Sequence, residues 1–179
     1  MKLKTSIILS SLVMASSMPA VADSVWDMYI GASIGTGART IFQPGADDTH
    51  SAQSLGGVFG LDVPYIRAEL EYNYLREYDS RASVGMFNAY FKIPLVIVKP
   101  YVGLGFGMLF DGRDSKQNID FDTALAYQAM IGVTLDVPKL PFKFDIEARS
   151  LYAPDVYKYN GATPDMLQYE ARIKLRYLF

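Results

Sequence analysis

The chain has 179 residues, a formal net charge of −2 and no cysteine. The length fits one domain, and the near-neutral charge excludes nucleic acid as a main partner. Without cysteine there is no disulfide framework, thiolate zinc site or thiol nucleophile.

In chain order, residues 1–22 carry Lys2 and Lys4, a short apolar core around Ile7–Met14, then Ala20, Val21 and Ala22. That order of basic end, apolar core and small residues is a secretory leader. Cleavage is expected between Ala22 and Asp23, leaving a mature domain at 23–179. The core is too short for a membrane-spanning helix of about 20 residues.

The mature chain alternates between apolar and polar residues in eight segments of about ten residues, the period of a strand with two different faces. WDMYIGASIGT (26–36) points Met28, Ile30, Ala32 and Ile34 one way. SLGGVFGLDV (54–63) does the same with Leu55, Phe59 and Leu61, and YIRAELEYNYL (65–75) with Ile66, Leu70 and Tyr72. Next come VGMFNAYFKI (84–93), YVGLGFGMLF (101–110) and AYQAMIGVTLDV (126–137). FKFDIEARSLY (142–152) and YEARIKLRYLF (169–179) complete the set. The linkers alternate in length. Proline-bearing turns fall at Pro64, Pro94–Pro100 and Pro138–Pro141, and long polar loops are expected at 37–53, 76–82, 111–122 and 153–166. Together these features predict an all-β, eight-stranded, antiparallel up-and-down transmembrane barrel in the bacterial outer membrane.

A water-soluble barrel also alternates, but it turns its apolar face inward. Here the apolar face is bulky and free of mid-strand charge, which suits lipid. The other face carries glycine, tyrosine and both signs of charge, which suits a narrow interior filled by side chains. The 13 Tyr and 10 Phe gather near segment ends, as interfacial aromatic belts do.

The residues resemble the small eight-stranded outer-membrane proteins of the OmpA transmembrane-domain and opacity-protein type. The resemblance rests on the eight segments, on FNAYFKIPLVIVKPYVGLGFGMLF (87–110) and on the terminal Tyr177-Leu178-Phe179. It implies partners in outer-membrane lipid and lipopolysaccharide, and in periplasmic chaperones and the barrel-assembly machinery. For that machinery Tyr177 and Phe179 would be the recognition signal. It also implies extracellular loops able to engage an external protein, as an adhesin does.

The inward face nominates an interior charge network: Arg67, Glu69, Glu71, Lys92, Asp145, Glu147, Arg149, Glu170, Arg172 and Lys174. Both signs are present, which suggests mutual pairing rather than a selective pore lined by one sign. In the last hairpin, setting Glu147 opposite Arg172 also brings Asp145 to Lys174 and Arg149 to Glu170. That leaves Lys143 facing Arg176 at a wet rim. Three opposite-charge pairs in one register make it the favoured one. A small ion-conducting pore is the alternative function.

A lipid A-modifying enzyme is the lesser alternative, because its chemistry would need a His–Ser pair on the wall. The single histidine, His50, falls in the first long loop. The loop sequence DGRDSKQNIDFD (111–122) lacks the spacing and flanking helices of a calcium-binding EF-hand. No catalytic residue, metal site or cofactor is expected.

Overall fold

The computed structural model describes residues 26–43, 46–77, 80–114, 119–121, 123–137, 139–156 and 165–179. The expected leader and its cleavage residues Ala20, Ala22 and Asp23 lie outside the described residues. The strands are β1 (Asp27–Gln43), β2 (Ala46–Asp62), β3 (Ile66–Arg76), β4 (Ser80–Lys92) and β5 (Val98–Asp114). They continue as β6 (Ile119–Phe121), β7 (Ala124–Asp136), β8 (Phe142–Ala153) and β9 (Asp165–Leu178). All pairings are antiparallel. The short β6 pairs only with the far end of β5. The other eight strands pair in chain order, and β1 pairs with β9, so the sheet closes on itself without an edge.

The faces are sorted in the reverse of a water-soluble barrel. Outward residues include Leu104 at 70% exposure, Ile131 at 62% and Leu55 at 60%. Inward residues include Arg67, Asp145, Lys174 and Arg176, each at 0%. Apolar surface on that scale is unfavourable in water and matches the hydrocarbon of a bilayer.

At one end the strands join through compact turns, 63–65 and 93–97, and through the short connection between Asp136 and Phe142. Backbone bonds fasten them, such as Val63 N to Ile66 O at 2.9 Å and Ile93 N to Pro100 O at 2.9 Å. The other end differs from the sequence expectation. Residues 37–53 are not a long loop: β1 and β2 run on as a paired ribbon out to Gln43 and Ala46. Likewise β3 and β4 are joined across 77–79, and β5 extends to Asp114. Here the outer face of the β1–β2 extension carries Ala38, Thr40, Ser51 and Gln53 and the inner face carries Gly37, Arg39 and Ala52, so no apolar stripe marks it in the sequence.

Two inward glycines are required by close backbone approach. A Cβ on Gly37 would fall 1.8 Å from the Tyr169 carbonyl oxygen, and one on Gly107 would fall 1.9 Å from that of Gly85.

Candidate functional site

The barrel interior concentrates buried charge. All ten residues nominated from sequence are there, and none is more than 5% exposed. Each has an oppositely charged neighbour.

Near the short-turn end, Asp62 receives Lys92, Lys143 (3.3 Å) and Arg176 (3.1 Å). Beside it, Asp136 holds Lys99 at 2.5 Å and Lys143 at 3.4 Å. Further in, Asp145 accepts from Arg67 (3.1 Å), Arg176 (2.7 Å) and the Thr134 hydroxyl (2.5 Å). Glu69 accepts from Lys174 (2.7 Å), Tyr29 (2.7 Å) and Tyr90 (3.0 Å). At mid-barrel, Glu71 takes Arg172, Asn73 (2.8 Å), Asn88 (2.6 Å) and Gln128 (3.2 Å). Glu170 pairs with Arg149 at 2.7 Å and accepts from Ser54 at 3.1 Å. Such bonding is what ionised groups in a narrow interior need, because burying an unpaired charge is costly.

Arg67 keeps two guanidinium nitrogens, Nε and one terminal nitrogen, without a hydrogen-bond acceptor. Its carbon lies 3.9 Å from the Tyr90 ring centroid and 4.6 Å from that of Tyr101. The two rings meet edge to face at 5.5 Å. Cation–π attraction to the two adjoining rings partly offsets the missing bonds.

The β8–β9 register has Glu147 opposite Arg172, Asp145 opposite Lys174 and Arg149 opposite Glu170, as the charge pattern predicts. The contacts only partly follow the ladder. Lys174 reaches across the lumen to Glu69 instead of Asp145. Arg176 is not at a wet rim but fully buried between Asp145 and Asp62. Long cationic side chains in a closed, narrow barrel reach acceptors on facing strands as easily as on neighbouring ones.

Sequence reasoning missed two interior features. Arg39, expected in a loop, is 1% exposed. Its Nε donates to Gln168 Oε1 at 3.0 Å, and a terminal nitrogen donates to Glu77 at 3.1 Å. Glu77 also lies 3.2 Å from His50 Nδ1, on a histidine that β2 carries rather than a loop. The signal was the inward parity of β1, which runs unbroken through Tyr29, Ser33 and Gly37 to Arg39. The second feature is an apolar cluster at the hairpin end of the interior. It includes Leu75, Val84, Leu109, Leu151 and Met166, with Val156 from the segment after β8. Those side chains occupy inward positions just beyond Asn73, Met86, Gly107, Arg149 and Gln168 on their strands.

Trp26, Phe142, Phe144, Tyr72, Tyr127 and Tyr169 all face outward and exposed, in two girdles near the strand ends. The terminal strand is tied down at its end. Phe179 N donates to Met28 O at 2.9 Å, and Leu178 N donates to Pro141 O at 2.8 Å.

A closed eight-stranded sheet with apolar side chains outside and ion pairs inside defines the class of small outer-membrane-type β-barrels. The solved structures agree. The chain is similar to Neisserial surface protein A, with 15% identity and a TM-score of 0.60 over 82% of this chain and 95% of that one. It is also similar to the N-terminal β-barrel domain of Pseudomonas aeruginosa OprF, with 14% identity and a TM-score of 0.55 over 84% and 97%. No protein-family model matches the sequence, and no curated protein matches it significantly. The likeness is therefore one of fold, and it spans nearly the whole of both solved barrels.

Proposed function

We propose that the chain is a non-enzymatic, integral outer-membrane surface protein with a closed lumen and extracellular hairpins. In this reading the compact turns and Phe179 face the periplasm. The ribbons β1–β2, β3–β4 and β5–β7 and the connection after β8 stand outside, where an adhesin-type contact with an external protein would form. The observation that carries the closed lumen is the pairing of the ten buried charges, nine among themselves and Lys92 with Asp62. A pore of one sign would leave charges unpaired for a passing ion. The shared fold with a Neisserial barrel named a surface protein supports the placement.

The test is conductance of the refolded chain 23–179 in planar bilayers. Silence at ordinary voltages is expected. Steady, reproducible channels would overturn the closed lumen and favour the pore. The non-enzymatic reading is checked by the mass of lipid A from expressing cells, which is expected to be unchanged.

A further inference from the structure

The two mouths of the barrel are finished differently. At the short-turn end the last inward side chains are charged, and water reaches them in a graded way. Lys99 is 25% exposed, Asp136 15%, Lys143 12%, Lys92 6% and Asp62 4%. One step deeper, the Arg176, Arg67 and Asp145 side chains are at 0%.

At the hairpin end the inward positions turn apolar. Two in-register runs make most of the layer. Ile41, Met166 and Ala153 stand opposite one another on β1, β9 and β8. Val84, Leu109 and Ala124 do so on β4, β5 and β7. Ala52 on β2 and Leu75 on β3 close the circle, so each long strand supplies one apolar side chain here. Leu151 and Val156 pack into the same cluster. The last inward residues of β8 and β9, Ala153 and Met166, are at 0% and 1% exposure. This mouth therefore lacks the gradient of the other.

Three polar side chains share the level, Arg39, Gln168 and Glu77. Arg39 donates to Gln168 at 3.0 Å and to Glu77 at 3.1 Å, and one of its terminal nitrogens keeps no hydrogen-bond acceptor among the described residues. All three belong to one side of the barrel, β9, β1 and the end of β3. Across the lumen β4, β5 and β7 present Val84, Leu109 and Ala124.

The two layers resist an ion in different ways. Ion pairs close a lumen by contacts that can be exchanged, and Arg172 alone touches Glu71, Glu147 and Glu170. Their polar atoms can also take the place of water around a passing ion. An apolar constriction offers no such replacement, and it closes by excluding water.

We propose that the apolar layer is a second, independent barrier: a dry septum that keeps the hairpin end shut even when the ion pairs below it are broken. The charged interior beneath it is then a vestibule that water enters from the turn end alone. The inference rests on the closed-lumen reading above and adds to it, since ion pairs by themselves would form a single barrier.

The test is planar-bilayer conductance of two variants beside the parent, with folding checked by the heat-modifiable gel shift. E71A/R172A removes a central ion pair. The quadruple variant adds L109S/L151S, which brings hydroxyls into the layer. E71A/R172A is expected to stay as silent as the parent, and current is expected from the quadruple variant. Conductance by E71A/R172A would overturn the septum while leaving ion-pair closure in place. Silence of a folded quadruple variant would overturn it too. Conductance by the parent would instead remove the closed lumen itself. Single thiols give a second measurement that spares both layers, because the chain has no cysteine of its own. In nanodiscs Lys92→Cys, in the vestibule, is expected to react with a small charged methanethiosulfonate. Ala126→Cys, inside the layer, is expected to stay unlabelled. Equal labelling of the two would show a wet layer and overturn the proposal.

Discussion

Glu147 and Arg172 stand directly opposite each other on β8 and β9, yet the tightest partner of the Arg172 guanidinium is Glu71, across the lumen on β3. Arg172 also reaches Glu147 at 3.5 Å and Glu170 at 3.3 Å. One cation thus sits among three carboxylates from three strands, with no water-accessible surface on its side chain.

Replacing that cation should therefore be costly. Arg172→Ala leaves Glu71 without its closest cation and is expected to destabilise the barrel by about 3–5 kcal/mol. Equilibrium urea unfolding in lipid vesicles measures this. Arg172→Lys keeps the charge but loses the fork, and should fall between the two. A loss below about 1 kcal/mol for the alanine variant would mean that water already compensates the carboxylates.

Tyr101 separates two contributions. Its hydroxyl donates to Glu147 at 3.0 Å, and its ring lies against the Arg67 guanidinium. Tyr101→Phe is expected to cost about 1–2 kcal/mol through the lost bond to a charged group. Tyr101→Leu should cost about 1 kcal/mol more, because the ring face goes as well. The same unfolding assay reads both. Equal losses would show that the ring face contributes nothing to Arg67.

The glycines divide into two kinds. Gly107→Ala drives a methyl group into the Gly85 carbonyl and should block closure of the β4–β5 seam. Gly57→Ala points into open space on the outer wall and should be neutral within about 0.5 kcal/mol. The heat-modifiable shift of folded barrel on a denaturing gel checks both. A fully folded Gly107→Ala protein would contradict the close approach of those strands.

Phe179 distinguishes an assembly signal from a structural anchor. If it is recognised by the assembly machinery, deleting it should lower the outer-membrane level in cells while leaving refolding into synthetic vesicles nearly unchanged. Equal losses in both settings would point to the backbone bond from Phe179 to Met28 instead.

The parts of this architecture that are legible in sequence share one physical cause. Wherever a strand has lipid on one side and a filled interior on the other, the chain must alternate, and so Ile30, Leu70, Ile131 and Ile173 announce their faces. The β8–β9 register was readable because it lines up three opposite-charge pairs, whereas a two-residue slip in either direction would keep at most two. The ribbon from Gly37 to Gln53 was not readable, because its outer face is small and polar while its inner face holds Gly37 and Arg39, so neither face reads as apolar. Arg39 was lost with it, although it keeps the parity of its strand. The partners of Lys174 and Arg176 were hidden for another reason: they are fixed by closure of the cylinder, which no pairwise ladder contains.

That last point bears on how the chain reaches its final form. Arg172, Lys174 and Arg176 alternate along the terminal strand, and their acceptors Glu71, Glu69 and Asp62 lie on β3 and β2. The residues in these pairs are 101, 105 and 114 positions apart in the chain. A partly assembled sheet would hold three cations on its last strand and three anions near its first hairpin with nothing between them. Their neutralisation and the meeting of β1 with β9 are therefore a single event, and a half-closed intermediate gains little of either.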